Sequence, residues 1–336
     1  MAARVNRQIL LNARPVGEIK DSDFKYREAP IPAAGPGQFL ARNLYLSLDP
    51  AMRGWLDDRD SYLPPVGIGE VMRSGGLGEV VASNDPAVPV GSTVNGLVGW
   101  QDYALIGGEG GLATVLPEGI DPIDALSVYG ATGLTAYFGV LDVARPEAGE
   151  TVVVSGAAGA TGSVAGQIAR IKGCRVVGLA GTEDKCRWVT DELGFDACIN
   201  YKTEDVAARL DETCPNGIDV YFDNVGGEIL DLVLDRINLR ARIALCGAIS
   251  TYNATVLPPG PSNYFKLVTC RARMEGFLLF DYVDRFAEGV LALAGWVAEG
   301  LIKHRVEVVE GLEQAPTAIN RLFTGENSGK LVVKVA

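Results

Sequence analysis

The chain has 336 residues, 48 % hydrophobic and 21 % charged, an ordinary balance for a soluble globular enzyme and long enough for two cores. A net charge of −12 argues against a nucleic-acid or anionic-membrane partner, since either demands a basic face. The segment MAARVNRQILLNARPVG lacks an apolar core of signal-peptide length, and no apolar run approaches the roughly 18 residues of a transmembrane helix; the expectation is a cytoplasmic protein.

The first 125 residues are rich in Gly and Pro, and short apolar or alternating runs (QFLARNLYLSL, GEVVAS, STVNGLVGWQDYALI) are separated by turn clusters such as PAAGPG and NDPAVPVG. This texture predicts a compact β unit. From about residue 126 strands alternate with helices. TVVVS (151–155) is a β-branched strand, SGAAGATG (155–162) a glycine-rich turn, and SVAGQIARIKG a helix with Val164, Ile168 and Ile171 on one face. Further strands are predicted at RVVGLA (175–180), ACIN (197–200), IDVYFDN (218–224) and ARIALCG (241–247), with Leu230, Val233, Leu234 and Ile237 in a helical stretch between the last two. MEGFLLF (274–280) reads as another strand, followed by a long helix carrying Val283, Phe286, Val290, Leu293 and Val297 on one stripe. The last 30 residues read as a strand (VEVVEG), a helix (LEQAPTAINRLF) and a closing strand (GKLVVKVA). Repeated βα units imply an α/β fold with a Rossmann-type, doubly wound parallel sheet, set between a β-rich front and a returning tail.

In GAAGATG, Gly159 and Gly162 take the second and third glycine places of the dinucleotide fingerprint and Ala157 the first. The second glycine lets backbone N–H groups approach a pyrophosphate, the third lets helix and strand pack closely, and the phosphate meets the helix that starts near Ala160 and Thr161. About twenty residues on, where an NAD-binding chain places an acid for the ribose 2′-hydroxyl, the corner reads Ala180, Gly181, Thr182 and then Lys185. Gly181 leaves room for a 2′-phosphate, Thr182 offers a hydroxyl and Lys185 a charge, so NADP(H) is preferred over NAD(H). Glu183 and Asp184 sit where the first turn of a helix favours acids.

The chain holds one histidine, His304, and six cysteines (174, 186, 198, 214, 246, 270) without a C-x-x-C pair. That leaves no set for a His/Cys zinc site, and the cysteines read as buried thiols rather than a disulfide framework. No G-x-S-x-G elbow is present, so a Ser-His-Asp triad is not indicated.

Together these features resemble the zinc-independent branch of the medium-chain dehydrogenase/reductase superfamily, that of prostaglandin reductases, leukotriene hydroxydehydrogenases and NADPH-dependent curcumin reductases. The matching strings run almost end to end: NRQILLNARPVG, LSLDPAMRGW, GLTAYFGVLDV, SGAAGATGSVAGQIAR, GCRVVGLAGTEDK, NYK, YFDNVGGEILD, CGAISTYN, MEGFLLFDY and GENSGKLVVKV. The resemblance implies a GroES-like catalytic domain over 1–125, a Rossmann NADP-binding domain over 126–301 and a return to the catalytic domain over 302–336. It implies that Lys185, Gly181 and Tyr201 bind the adenosine 2′-phosphate, and that Asn224, Cys246 and Gly247 line the ribose side. Phe277 and Leu279 then offer backbone contacts near the carboxamide, Asn327 reaches the cofactor from the tail, and Tyr252 is the substrate-side hydroxyl. A homodimer is also implied, with MEGFLLF as an edge strand pairing across a two-fold axis. One position departs from the family: Ala51 stands where D-P-Y-M-R has tyrosine, which enlarges the pocket or shifts the role to Tyr252, Tyr62 or Tyr264.

The chemistry follows from what is missing. Interconverting an alcohol and a carbonyl normally needs a zinc ion or a Tyr-x-x-x-Lys pair, and none of the 11 tyrosines has a lysine four residues later. Reducing a C=C bond conjugated to a carbonyl needs only a hydride on the β-carbon and one or two donors for the enolate. The expected activity is NADPH-dependent reduction of α,β-unsaturated ketones or aldehydes. Quinone reduction on the same scaffold, and an NADPH-binding sensor or scaffold with little turnover, are the alternatives.

Overall fold

The computed structural model describes residues 5–108, 113–117 and 119–336. The chain divides into two compact units. One holds Met1–Leu126, Val306–Asn327 and Leu331–Ala336; the other holds Ser127–Arg305 and Ser328–Lys330.

In the first unit, β1 (Val5–Leu11) and β2 (Phe24–Pro30) pair antiparallel. A larger sheet is built from β3 (Gln38–Leu48), β4 (Gly75–Ser83), β5 (Thr93–Leu97), β6 (Tyr103–Gly107) and β7 (Ala113–Val115), all joined antiparallel. The core collects Leu11, Leu46, Leu48, Met52 and Trp100, with the Phe24 ring 5.1 Å from Trp100. The PAMRGWL segment is a 3₁₀ helix, Pro50–Leu56. Its Arg53 is buried, bonded to the Asp57 carboxylate at 2.6 Å and to the carbonyl oxygens of Pro15 and Gly17. A buried guanidinium is stable only with its donors occupied in this way.

The second unit carries β8 (Thr151–Ser155), β9 (Arg175–Ala180), β10 (Ala197–Asn200), β11 (Ile218–Asp223), β12 (Ile237–Leu245) and β13 (Arg273–Gly276). They form one parallel sheet in the order β10-β9-β8-β11-β12-β13. Alternate residues of TVVVS enter different cores. Val152 and Val154 pack with Leu134, Val164, Ile168 and Leu293, whereas Val153 packs with Leu210, Val233 and Leu234. Helices cover both faces, which is why the strand reads as a continuous apolar run rather than an alternation. The order reverses between β8 and β11, so the crevice at their C-terminal ends is the topological switch point, where open α/β sheets place their ligands.

In the tail, β14 (Val306–Glu310) and β15 (Lys330–Lys334) return to the first unit's sheet, where Leu331–Lys334 pair with Tyr45–Leu48 of β3. Among the described residues no helix is long and apolar enough to cross a membrane.

Several expected elements differ. Ile237, read with a helix, opens β12; the helix ends at Leu234 because the chain must turn back into the sheet. MEGFLLF is a strand only to Gly276, and Leu279–Arg285 winds into a 3₁₀ helix before the α-helix Phe286–Ala298. Val283 therefore lies in the 3₁₀ turn, 43 % exposed, off the buried stripe centred on Leu293. LEQAPTAINRLF breaks into a 3₁₀ turn and two short helices, Ala315–Ala318 and Arg321–Thr324. Its Pro316, at the start of Ala315–Ala318, cannot donate backward to continue the preceding turn.

Candidate functional site

At the switch point β8 runs into the glycine-rich turn. The tight bend is made by Gly156, whose φ of +61° only glycine adopts at low cost; Ala157, read as holding the first glycine place, is a buried residue one step beyond it. Gly159 caps the helix Ala160–Ile171, and Ala160, Thr161 and Gly162 form its first turn. A Cβ on Gly162 would stand 2.3 Å from the Gly156 carbonyl oxygen and 3.2 Å from the Ala157 Cα. The helix therefore presses backbone against backbone; the Gly159 N–H is taken by the Gly156 carbonyl at 2.9 Å, and the N–H groups of the first turn, Ala160–Gly162, are the ones that face an anion. Ser328–Lys330 lies along this turn: the Gly329 N–H donates to the Ala158 carbonyl at 3.0 Å. Asn327, just before it, is buried and belongs to the first unit.

At the corner after β9, Thr182 caps the five-residue helix Glu183–Arg187, its hydroxyl accepting from the Lys185 N–H at 3.3 Å. Glu183 and Asp184 fall in the first helical turn, and Asp184 pairs with Arg187. Gly181 is buried against β10's exit: a Cβ there would meet the Tyr201 hydroxyl at 2.8 Å and the Lys202 Cε at 3.3 Å. Gly181, Thr182, Lys185 and Tyr201 are thus brought together, and the structure adds Lys202. Burial raises the Tyr201 phenol's pKa, so it stays a protonated donor at neutral pH. The Lys202 contribution was missed because its approach to Gly181 depends on β9–β10 pairing; the tripeptide NYK was its only sequence signal. Cys186 of this helix is buried and Cys198 of β10 partly buried, both free thiols.

The third part of the site is the rim formed by the ends of β8, β11 and β12. The Asn224 N–H donates to the Ser155 hydroxyl at 2.9 Å, and its side-chain amide donates to the Ser155 carbonyl at 2.7 Å. The N–H groups of Cys246 and Gly247 donate to the Asp223 carbonyl at 2.9 and 3.0 Å. Burial, followed by the charge of Asp223, pushes the Cys246 thiol up to about 12, which keeps it protonated and unreactive at neutral pH. The loop continues into the 3₁₀ turn Ile249–Thr251, and the Tyr252 hydroxyl folds back to accept from the Ala248 N–H at 3.2 Å. A Cβ on Gly247 would lie 3.0 Å from that hydroxyl. Phe277 follows the edge strand with its ring 6.3 Å from Phe222, and Leu279 opens the 3₁₀ helix.

Ser155 and Asp223 had no role in the sequence reading, although both stand at strand ends flanking the glycine motifs. Asp223 is fully buried, and burial holds its carboxyl above the usual carboxylate range against the pull of its hydrogen-bond donors. Tyr264 lies on an exposed turn, its side chain largely in solvent. Ala51 and Tyr62 belong to the first unit. Ala51 lies half-buried in the 3₁₀ helix Pro50–Leu56, and the Tyr62 hydroxyl accepts from the Trp55 indole N–H at 3.1 Å.

Among the described residues no group of three or more His, Cys, Asp or Glu side chains is placed to hold a metal ion. The glycine turn and the Gly181 corner fit a dinucleotide, because the turn delivers the first-turn N–H groups of a helix at the switch point and the corner sets no acid beside Gly181 but the Tyr201 hydroxyl and Lys202. Two family models match the chain, the N-terminal domain of oxidoreductase over residues 7–114 and zinc-binding dehydrogenase over 160–295. An NADPH-dependent curcumin reductase of Escherichia coli is 44 % identical over 336 residues, covering 98 % of this chain and 97 % of that protein. The chain belongs to the zinc-independent medium-chain dehydrogenase/reductase family. Within that family, a 2-alkenal reductase (NADP(+)-dependent) of Nicotiana tabacum is 39 % identical, with 98 % of each chain covered. The crystal structure of CurA from Vibrio vulnificus in complex with NADPH superposes with a TM-score of 0.93 at 46 % identity, covering 98 % of this chain and 99 % of that one.

Proposed function

We propose that this protein is an NADPH-dependent reductase of the C=C bond in α,β-unsaturated ketones and aldehydes. The observation that carries the reading is the pairing of a dinucleotide cradle with a rim whose one assigned proton-handling group is the Tyr252 hydroxyl. Relatives named as an NADPH-dependent curcumin reductase and an NADP(+)-dependent 2-alkenal reductase support it.

Gly159 would let the pyrophosphate approach the backbone, the N–H groups of Ala160, Thr161 and Gly162 would receive it, and Gly181, Thr182, Lys185 and Tyr201 would receive the 2′-phosphate. Asn224, Cys246 and Gly247 back the riboses, and the Phe277 and Leu279 backbones meet the carboxamide. Asn327, Ala51, Tyr62 and Tyr264 enter this assignment on family resemblance alone. When bound, NADPH supplies a hydride to the substrate β-carbon. The charge that moves to the carbonyl oxygen then takes a hydrogen bond from Tyr252, and the α-carbon receives its proton through that phenol or water. Because the enolate shares its charge between the oxygen and the α-carbon, its oxygen is a weaker base than an alkoxide oxygen, and a single donor suffices.

The test is product analysis after incubation with NADPH or NADH and a medium-chain enone. The expected product is the saturated ketone, formed with NADPH in clear preference, with deuterium from 4-deuterated NADPH on the β-carbon. An allylic alcohol would sink the proposal.

A further inference from the structure

We propose that Asp223 is a positioning residue: its carboxylate locks together the turns that leave β8 and β11, and through them sets the place of the Tyr252 hydroxyl. This rests on the reading of Tyr252 as the enolate donor. The bonds lead from one to the other without a gap. Asp223 Oδ1 accepts from the N–H groups of Val225 (2.9 Å) and Gly226 (2.8 Å) in its own turn, and from the Ser155 hydroxyl (3.0 Å) at the end of β8. The carbonyl oxygens of that same turn hold the next loop. Asn224 accepts from the Ile249 N–H at 3.2 Å, and Val225 accepts from the Ser250 N–H at 3.2 Å and the Ser250 hydroxyl at 2.6 Å. Ile249 and Ser250 begin the 3₁₀ turn that ends at Tyr252. Rotating either peptide of the 224–226 turn therefore moves the tyrosine.

The chemistry of the group separates this role from mere packing. A fourth donor, the Tyr221 hydroxyl at 2.8 Å, reaches the same Oδ1 from the core, so one oxygen takes four hydrogen bonds. The other, Oδ2, is sealed from solvent and accepts none, and no cation pairs with Asp223 among the described residues. Burying an ionisable group without a counter-charge costs stability. What it supplies in return is an acceptor strong enough to hold four donors on one atom, which an amide oxygen is not. Departures of this kind from the cheapest core belong where geometry matters more than stability.

The experiment measures kcat with saturating NADPH and enone, together with Tm, for Asp223→Asn, Ser155→Ala, Tyr221→Phe, Tyr252→Phe and the first two combined with Tyr252→Phe. Ser155→Ala severs the cross-turn link with little volume change, so it serves if Asp223→Asn folds poorly. Displacement of a reacting group by a fraction of an ångström should lower kcat roughly tenfold in each of these two variants. In the Tyr252→Phe background the additional loss should shrink to less than about twofold, because the positioned group is gone. Tyr221→Phe, which removes only the donor that reaches Oδ1 from the core and leaves the Ser155, Val225 and Gly226 donors in place, should lower Tm with kcat within about twofold. A fall in Tm with kcat unchanged for both Asp223→Asn and Ser155→Ala overturns the inference while leaving Tyr252 in place. An undiminished kcat loss in the Tyr252→Phe background overturns it as well. If Tyr252→Phe alone turns over at the wild-type rate, the Tyr252 reading itself fails and takes this inference with it.

Discussion

At the scale of single residues, the corner after β9 is decided by what is not there. Gly181 has no side chain, and the space a Cβ would take is bordered by the Tyr201 hydroxyl and the Lys202 Cε. An acid in that place would lose its room and would repel a phosphate. Lys185 follows a threonine cap, so its backbone is fixed while its side chain supplies charge. In the proposed assignment, Lys185→Ala should lower kcat/KM for NADPH about tenfold, the usual size of one charge-assisted contact, and affect NADH far less. Equal losses with both cofactors would remove Lys185 from the 2′-phosphate assignment. The residue-scale signal was legible because an expected acid was missing. The Lys202 side chain was not legible, since only the register of β9 with β10, in which Ala180 stands opposite Asn200, brings it there.

At the scale of one element, the helix Ala160–Ile171 carries two glycines that do different work. A Cβ on Gly166 would enter the Phe195 ring, at 1.9 Å from its edge, whereas one on Gly162 would enter the backbone of the glycine turn. Alanine gains up to about 1 kcal/mol of helix propensity at either place, but overpacking costs about 1–3 kcal/mol. Gly166→Ala should thus lower Tm and leave NADPH affinity nearly intact, because the ring and helix move away from the turn. Gly162→Ala should weaken NADPH binding at least tenfold, because rigid backbone must shift where the N–H groups converge. Nicotinamide fluorescence titration with parallel thermal melts separates the two. Equal affinity losses would mean that the helix, not the turn, sets the site. The strand TVVVS was recognised from composition, yet its division between two cores shows only in the packed sheet.

At the scale of the whole molecule, β13 is the outer strand of its sheet, with β12 as its one neighbour among the described residues. Leu278 and Phe280 follow it, 37 % and 47 % exposed. A free edge flanked by large apolar groups is a pairing hazard unless something covers it, and a two-fold copy satisfies both edges at once. The proposed homodimer should sediment at twice the chain mass, and Phe280→Asp should convert it to monomer; a wild-type monomer at micromolar concentration would refute the dimer. Composition and order along the chain determined a great deal of the rest. The β-rich front, the parallel βα series, the glycine turn and the absence of a zinc ligand set are local facts, because strand period, turn residues and ligand counts are written in short stretches of sequence. The tertiary structure decided what depends on residues far apart in the chain. It ended the MEGFLLF strand at Gly276, moved Ile237 into β12, gave the tight bend to Gly156, and joined Ser155 to Asp223 across 68 positions. None of these is visible in a window of sequence, because each depends on which strands become neighbours, and that choice is made by the burial of the whole sheet.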